Sequence, residues 1–186
     1  LFSTDRIRLR KMVKEDSEVY HTWRNNEQVM MSTSLVMDHY SIEETRDFVT
    51  EVILNSSSSK SYIIEEKADG KPIGVTSLIH MDYKNRHAEC VIDIGDTSYW
   101  GQGYATEALK LLLSYAFSEL NMHRISLRVF SFNDKAIKLY NKLGFRHEGT
   151  SRESLFRQSR WFDIIHMGML QEEYKATDWG SKNLVF

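Results

Sequence analysis

Tyr99–Phe117, YWGQGYATEALKLLLSYAF, joins a glycine turn to an amphipathic helix, and the rest of the chain is read outward from it. Ala105, Ala108, Leu109, Leu112, Leu113, Ala116 and Phe117 recur at helical spacing and give the second half one apolar face. In front of them Gly101 and Gly103 bracket Gln102, just after a strand-like run that ends at Gly95. Without a Cβ, glycine lets backbone N–H groups approach a bulky anion. The start of the helix adds unpaired N–H donors and a partial positive charge. Strand, glycine turn and helix together make a phosphate cradle.

Three ligands compete for such a cradle. A P-loop needs Lys-Ser/Thr after its last glycine, and Tyr104-Ala105-Thr106 follows Gly103, so that reading fails. The dinucleotide fingerprint needs a third glycine where Thr106 stands, and a βα unit opening the chain; only Asp134, after the next strand, speaks for it. The third ligand is the pyrophosphate of coenzyme A.

The flanking sequence is that of one α+β domain. Arg6-Ile7-Arg8-Leu9-Arg10 alternates as a strand with one wet face, and Asp16 to Arg24 reads as a helix carrying Val19, Tyr20 and Trp23 on one side. Asn25 to Tyr40 is Met-rich with no clean period. Ser41 caps a helix through Leu54, with Glu44 completing a capping box. Ser61–Lys67 and Pro72–Met81 flank an Asp69-Gly70 turn as a hairpin, and Arg86–Gly95 pairs with the second of them. His123–Phe130 alternates as a strand. Asn133 or Asp134 caps a helix through Leu143, with Gly144 past its end. Phe145–Leu155 and Arg160–Leu170 form a last strand pair. One domain spans 1–186, with its core at about 5–174 and a tail, 175–186, left unassigned.

Composition narrows the function classes. The 186 residues suffice for one well-buried core, and 41% hydrophobic with 27% charged residues describes a globular chain. Acids (26) and bases (24) nearly cancel to a net charge of −2, which argues against a nucleic-acid surface. No apolar run is long enough for a membrane helix, and LFSTDRIRLR has no apolar signal region, so no membrane partner is expected and the expected address is cytoplasmic. Cys90 is the sole cysteine, which excludes an internal disulfide and a Cys-based metal site. The seven histidines show no metal spacing, and no metal is expected.

Trp100-Gly101-Gln102-Gly103-Tyr104-Ala105 resembles the Q/R-x-x-G-x-G/A signature of the GNAT superfamily of N-acetyltransferases, with Trp100 at the Q/R position. Asn133-Asp134-Lys135-Ala136-Ile137-Lys138-Leu139-Tyr140-Asn141-Lys142-Leu143-Gly144-Phe145 resembles that family's N-x-x-A-x-x-L-Y-x-K-x-G-F helix. The wording around Trp100 and the Glu148-Gly149 after Phe145 are similar to the branch containing ribosomal-protein N-terminal acetyltransferases and spermidine acetyltransferase. The resemblance implies a mixed, mostly antiparallel sheet of about seven strands flanked by about four helices. It also implies acetyl-CoA as co-substrate and a primary amine as acceptor, joined by direct attack in a ternary complex, in a monomer or homodimer.

The resemblance further assigns residues. The N–H groups of Gly101, Gln102, Gly103, Tyr104, Ala105 and Thr106, together with Trp100, would bind the pyrophosphate. Ile92, Asp93 and Ile94 would carry the pantetheine arm and supply an N–H to the thioester oxygen. Asn133 would hydrogen-bond the pantetheine, or simply cap its helix. Glu89 corresponds in position to a strand glutamate that serves as base, and Asp93, four residues on and on the same face, is the rival, as is a water chain. Tyr140 would protonate the leaving thiolate. The acceptor is read less far: a protein N-terminus, a polyamine and a small amine all remain open. The acidic stripe Glu43, Glu44, Asp47 and Glu51, with Glu27 nearby, suits a polycation or is a solvated helix face. Trp23, His80 and Trp161 are candidate acceptor-site residues by position. An acyl-CoA sensor of the same fold is the non-enzyme alternative.

Overall fold

Alternating apolar and charged side chains make the first strand, β1 (Ile7–Lys11), which buries Ile7 and Leu9 and leaves Arg8 and Lys11 outside. The computed structural model describes residues 1–182, and by their contacts they divide into two compact units. The first comprises Leu1–His80 with Val91–Leu112; the second comprises Met81–Cys90 with the chain from Leu113 onward.

In the first unit β1 pairs antiparallel with β2 (Lys60–Glu66), Leu9 opposite Ile64, and β2 pairs antiparallel with β3 (Lys71–Asp82), Ile63 opposite Val75. Between β1 and β2 run α1 (Ser17–Arg24), α2 (Glu27–Thr33) and α3 (Ile42–Asp47), the last continuing to Leu54 as a wider π-helical segment. Trp23, Val49, Met12, Ile63 and Val75 form one apolar cluster, which fixes α1 and α3 on the sheet. Arg10 ties strand to helix entry, donating to both Asp16 oxygens at 2.9 and 2.8 Å and to Glu65 at 2.6 Å. The Ser41–Glu44 capping box forms as the spacing predicts. α2 was not legible as a helix. Asn26 caps it through Gln28 and Val29 N–H, but its seven residues are too few to display a period.

The second unit begins on the first half of β4 (His87–Ile94), which pairs in parallel with β5 (Arg124–Phe130). β7 (Arg160–Leu170) lies antiparallel to β5, and β6 (Arg146–Arg157) lies antiparallel to β7. The hydrogen-bonded order of all seven strands is β1-β2-β3-β4-β5-β7-β6, a mixed sheet as expected. Phe117, Met122, Ile125, Met167, Met169 and Tyr174 fill the core of the second unit, with the Phe117 and Tyr174 rings stacked 4.9 Å apart. α4 (Tyr104–Ser114) leads into this unit and continues as a π-helical segment to Glu119.

The expected four helices are present: α1, α3, α4 and α5 (Asp134–Leu143). Three short ones join them among the described residues: α2, α6 (Gln171–Ala176) and α7 (Asp178–Ser181). The unassigned tail is therefore partly helical. Trp179 anchors it, donating to Leu143 O at 3.2 Å and packing on Tyr174. Residues 183–186 of that tail lie outside the described residues.

Candidate active site

The glycine turn is built from short-range chemistry and fastened by long-range partners. After β4 the chain makes a single 3-10 turn, Thr97–Tyr99, capped by Asp96, whose carboxylate accepts from Ser98 N–H at 3.0 Å. Gly101 and Gly103 then adopt φ of 73° and 84°, the left-handed region that side chains avoid. α4 starts at Tyr104, so its first N–H groups have no intrahelical acceptor. A Cβ built at Gly101 would meet nothing within 4 Å, and one at Gly103 would meet Arg6 Nη2 at 3.3 Å. Room at Gly101 and the N–H groups of a helix start fit a diphosphate.

Beneath the turn three contacts hold its shape. Trp100 donates from Nε1 to Ile94 O at 2.8 Å, tying the turn to the end of β4. Tyr99 and Tyr104 both donate to Glu66, at 2.7 and 3.1 Å, with their rings edge to face. Arg6 donates to Gln102 O at 2.9 Å and to Glu107 at 2.6 Å, and lies 4.2 Å from the centre of the Tyr104 ring. Lys71 pairs with Asp96 at 2.8 Å and holds its carboxyl below the usual range, together with Ser98. Arg6, Glu66 and Lys71 were missed from sequence, because Arg6 stands about a hundred residues from the turn and nothing local marks such a pairing.

On β4 the two carboxylates sit in different company. Glu89 accepts from Arg128 Nε at 2.8 Å and is mostly buried. Its neighbour Cys90 points into the core, where burial pushes the thiol up to about 12. The parallel ladder to β5 pairs His87 with Arg124, Ala88 with Ile125 and Glu89 with Ser126. Asp93 lies further along β4. Gly74 of β3 approaches its backbone so closely that a Cβ would collide with Asp93 O. The Asp93 side chain keeps a little accessible surface but is ringed by protein, and desolvation pushes its carboxyl up to about 6. Its charge is felt by Tyr20 of α1, whose own phenol is raised beyond its usual range, first by burial and then by Asp93.

In the second unit Asn133 accepts from Ala136 N–H at 3.3 Å and so caps α5. Gly144 ends that helix at φ 109°, its N–H bonded to Asn141 O and Tyr140 O. Tyr140 is half-buried with its ring edge-on to Phe145 at 6.0 Å. Among the acceptor candidates, Trp23 is core: it is buried and lies flat against Gly95. His80 is exposed, in a left-handed conformation. Trp161 is exposed beside Phe156 on the β6–β7 hairpin. A cavity of about 530 Å³ beside the end of α5, lined by Asn141, Arg146, Glu173 and Thr177 among others, contains none of the expected site residues. Among the described residues no cluster could hold a metal ion, and no helix is long and apolar enough to cross a membrane.

Known proteins give the same family. The model of the acetyltransferase (GNAT) domain matches residues 6–146. Spermidine N(1)-acetyltransferase of Escherichia coli K12 is 31% identical over 94% of this chain and 91% of its own length. The crystal structure of spermidine N-acetyltransferase from Vibrio cholerae with CoA and spermine superposes at a TM-score of 0.84, with 29% identity, covering 92% of this chain and 99% of that one. A dodecameric structure of the Vibrio cholerae enzyme superposes at 0.79, with 29% identity over 93% and 98% of the two chains. The chain belongs to the GNAT family of acetyltransferases. It is an acetyl-CoA-dependent N-acetyltransferase.

Proposed function

We propose that the chain acetylates the primary amine of a small polycation or a protein N-terminus, and that a polyamine such as spermidine is the acceptor to try first. The donor half of this reading is carried by the glycine turn, where two left-handed glycines, with room at Gly101, lead into a helix start. The polyamine half is supported by the spermidine-acetylating relatives and by Glu43, Asp47 and Glu51, all exposed along α3 and its continuation.

In this proposal the N–H groups of residues 101–106, with Trp100 bracing them, bind the pyrophosphate. Ile92, Asp93 and Ile94 of β4 carry the pantetheine, and one of their N–H groups polarises the thioester oxygen. Asn133 keeps its carbonyl for the helix cap, which leaves its amide N–H groups for the pantetheine. Tyr140 gives its proton to the departing thiolate. An ammonium has no lone pair to attack with, so a carboxylate of β4 must take its proton first; Glu89, by family resemblance, and Asp93 are the two candidates.

The family model runs from residue 6 to 146 and so across both units, which supports one acetyltransferase domain over 1–186. A homo-oligomer, possible beyond the expected monomer or homodimer, is supported by the dodecamer of the Vibrio relative. The balanced charge supports the absence of a nucleic-acid partner, and the lone buried cysteine supports a cytoplasmic address. Thermal shift tests the donor: acetyl-CoA should raise the melting temperature where NAD and ATP do not. Stabilisation by NAD or ATP alone would contradict the reading.

A further inference from the structure

Arg6 stands just before β1, and its guanidinium reaches the glycine turn within the first unit. It is held on three sides. Nη1 donates to Gln102 O at 2.9 Å, Nε donates to Glu107 Oε1 at 2.6 Å, and the guanidinium carbon lies 4.2 Å from the centre of the Tyr104 ring. Thr4 donates to the other Glu107 oxygen at 2.7 Å, so the carboxylate is fixed as well. A planar guanidinium can serve these partners at once, which the compact ammonium of a lysine cannot. Even so, 41% of the Arg6 side chain stays exposed. An exposed ion pair contributes little to stability, so folding alone does not account for this convergence on one turn.

The grip bears on an anion at the turn in two ways. The first is direction. A trans peptide sets its C=O and its N–H in opposite directions. By drawing Gln102 O to itself, Arg6 turns the Gly103 N–H the other way. That donor has no acceptor among the described residues, and Gly103 is exposed. A Cβ at Gly103 would crowd Arg6 Nη2, so the glycine that permits the turn also admits the guanidinium. The second is charge. Glu107 lies in the first turn of α4, where a carboxylate suits the helix dipole. An incoming diphosphate would seek the same helix start, and like charges repel. Arg6 cancels that carboxylate. Lys71 does the same for Asp96, ahead of the turn, at 2.8 Å.

We propose that Arg6 is a positioning residue for the diphosphate of the donor: it aims the Gly103 N–H at the diphosphate and neutralises the Glu107 carboxylate beside it. The inference rests on the donor site proposed above and gives a role to a residue outside the glycine motif. Arg6 acts through the Gln102–Gly103 peptide and through Glu107, and it leaves the transfer step to other groups. A structural strut and a positioning pair differ in sign at Glu107. In a strut, losing either partner loosens the turn alike. In a positioning pair, losing Arg6 bares the carboxylate to the diphosphate, whereas losing the Glu107 charge removes a repulsion.

The test is acetyl-CoA affinity by calorimetry at low and high salt, with the melting temperature of each unliganded protein alongside. Arg6→Gln should weaken binding about tenfold at low salt, and less at high salt. Arg6→Lys should fall between, keeping the charge without the fork. Glu107→Gln, whose amide oxygen can still accept from Arg6, should bind acetyl-CoA at least as tightly as the wild type. Adding Glu107→Gln to Arg6→Gln should regain about threefold of the loss. Undiminished affinity in Arg6→Gln overturns the inference. So does a loss in Glu107→Gln, or a double variant no better than Arg6→Gln, either of which leaves only a strut. Glu107→Gln gives the answer even where Arg6→Gln does not fold. Should Gly101→Val bind acetyl-CoA as the wild type does, the donor site itself falls, and the inference with it.

Discussion

The glycine turn and the acidic face of α3 carry their charge in opposite ways. At the turn every side chain is fixed: Trp100 to Ile94 O, Tyr99 and Tyr104 to Glu66, Arg6 to Gln102 O and Glu107. In the proposed site the ligand-facing groups are backbone N–H, whose directions are set once the fold is set. On α3 and its continuation Glu43, Asp47 and Glu51 stand exposed, while Glu44 closes the Ser41 capping box at 2.7 Å. Fixed dipoles select a ligand by shape, whereas mobile exposed charges raise the local concentration of any polycation. The donor is therefore specified far more sharply than the acceptor.

That contrast breaks first at Gly101. Valine there must hold φ near 73°, so the turn should deform and acetyl-CoA affinity should fall by about 2 kcal/mol, or ~30-fold, by calorimetry. Undiminished affinity would mean that the turn does not carry the donor. A smaller effect is expected on α3. Replacing Glu43 and Glu51 by Gln and Asp47 by Asn should raise the KM for spermidine about threefold at low salt, and less in high salt. The KM for a neutral-flanked N-terminal peptide should stay put. An equal rise for both acceptors would make the acidic face part of the general machinery rather than a polyamine attractor.

The pH dependence sharpens the comparison from the stability side. Asp93 has a folded carboxyl raised from 3.8 to about 6, so the folded state binds its proton more tightly than the unfolded chain. That contribution is fully present below the unfolded value and is lost as pH rises through about 6. Asp96 runs the other way: Lys71 and Ser98 hold its carboxyl low, so its contribution is present above the unfolded value and fades as acid protonates it.

The sequence was legible where the chemistry is local. Gly101, Gly103 and the helix behind them form the turn they spell, Asn133 and Gly144 cap α5 at its two ends, and the β2–β3 hairpin and the β6–β7 pair form as alternation and turn signals indicate. What was not legible depends on residues distant in sequence. Arg6 reaching Gln102 and Glu107 leaves no periodic trace, nor does Glu66 accepting from two tyrosines. Trp23 illustrates the converse: an aromatic placed at a candidate acceptor position is consumed by packing on Gly95. Glu89 and Asp93 are indistinguishable by spacing, and only Arg128, brought to Glu89 by strand pairing, separates them.

The central claim is transfer of an acetyl group to a primary amine, and product analysis tests it most directly. The protein incubated with acetyl-CoA and spermidine should yield spermidine carrying one added acetyl group by mass spectrometry, with free CoA thiol appearing in equal amount. Thiol release without any acetylated amine, across spermidine and N-terminal peptides alike, would contradict the account.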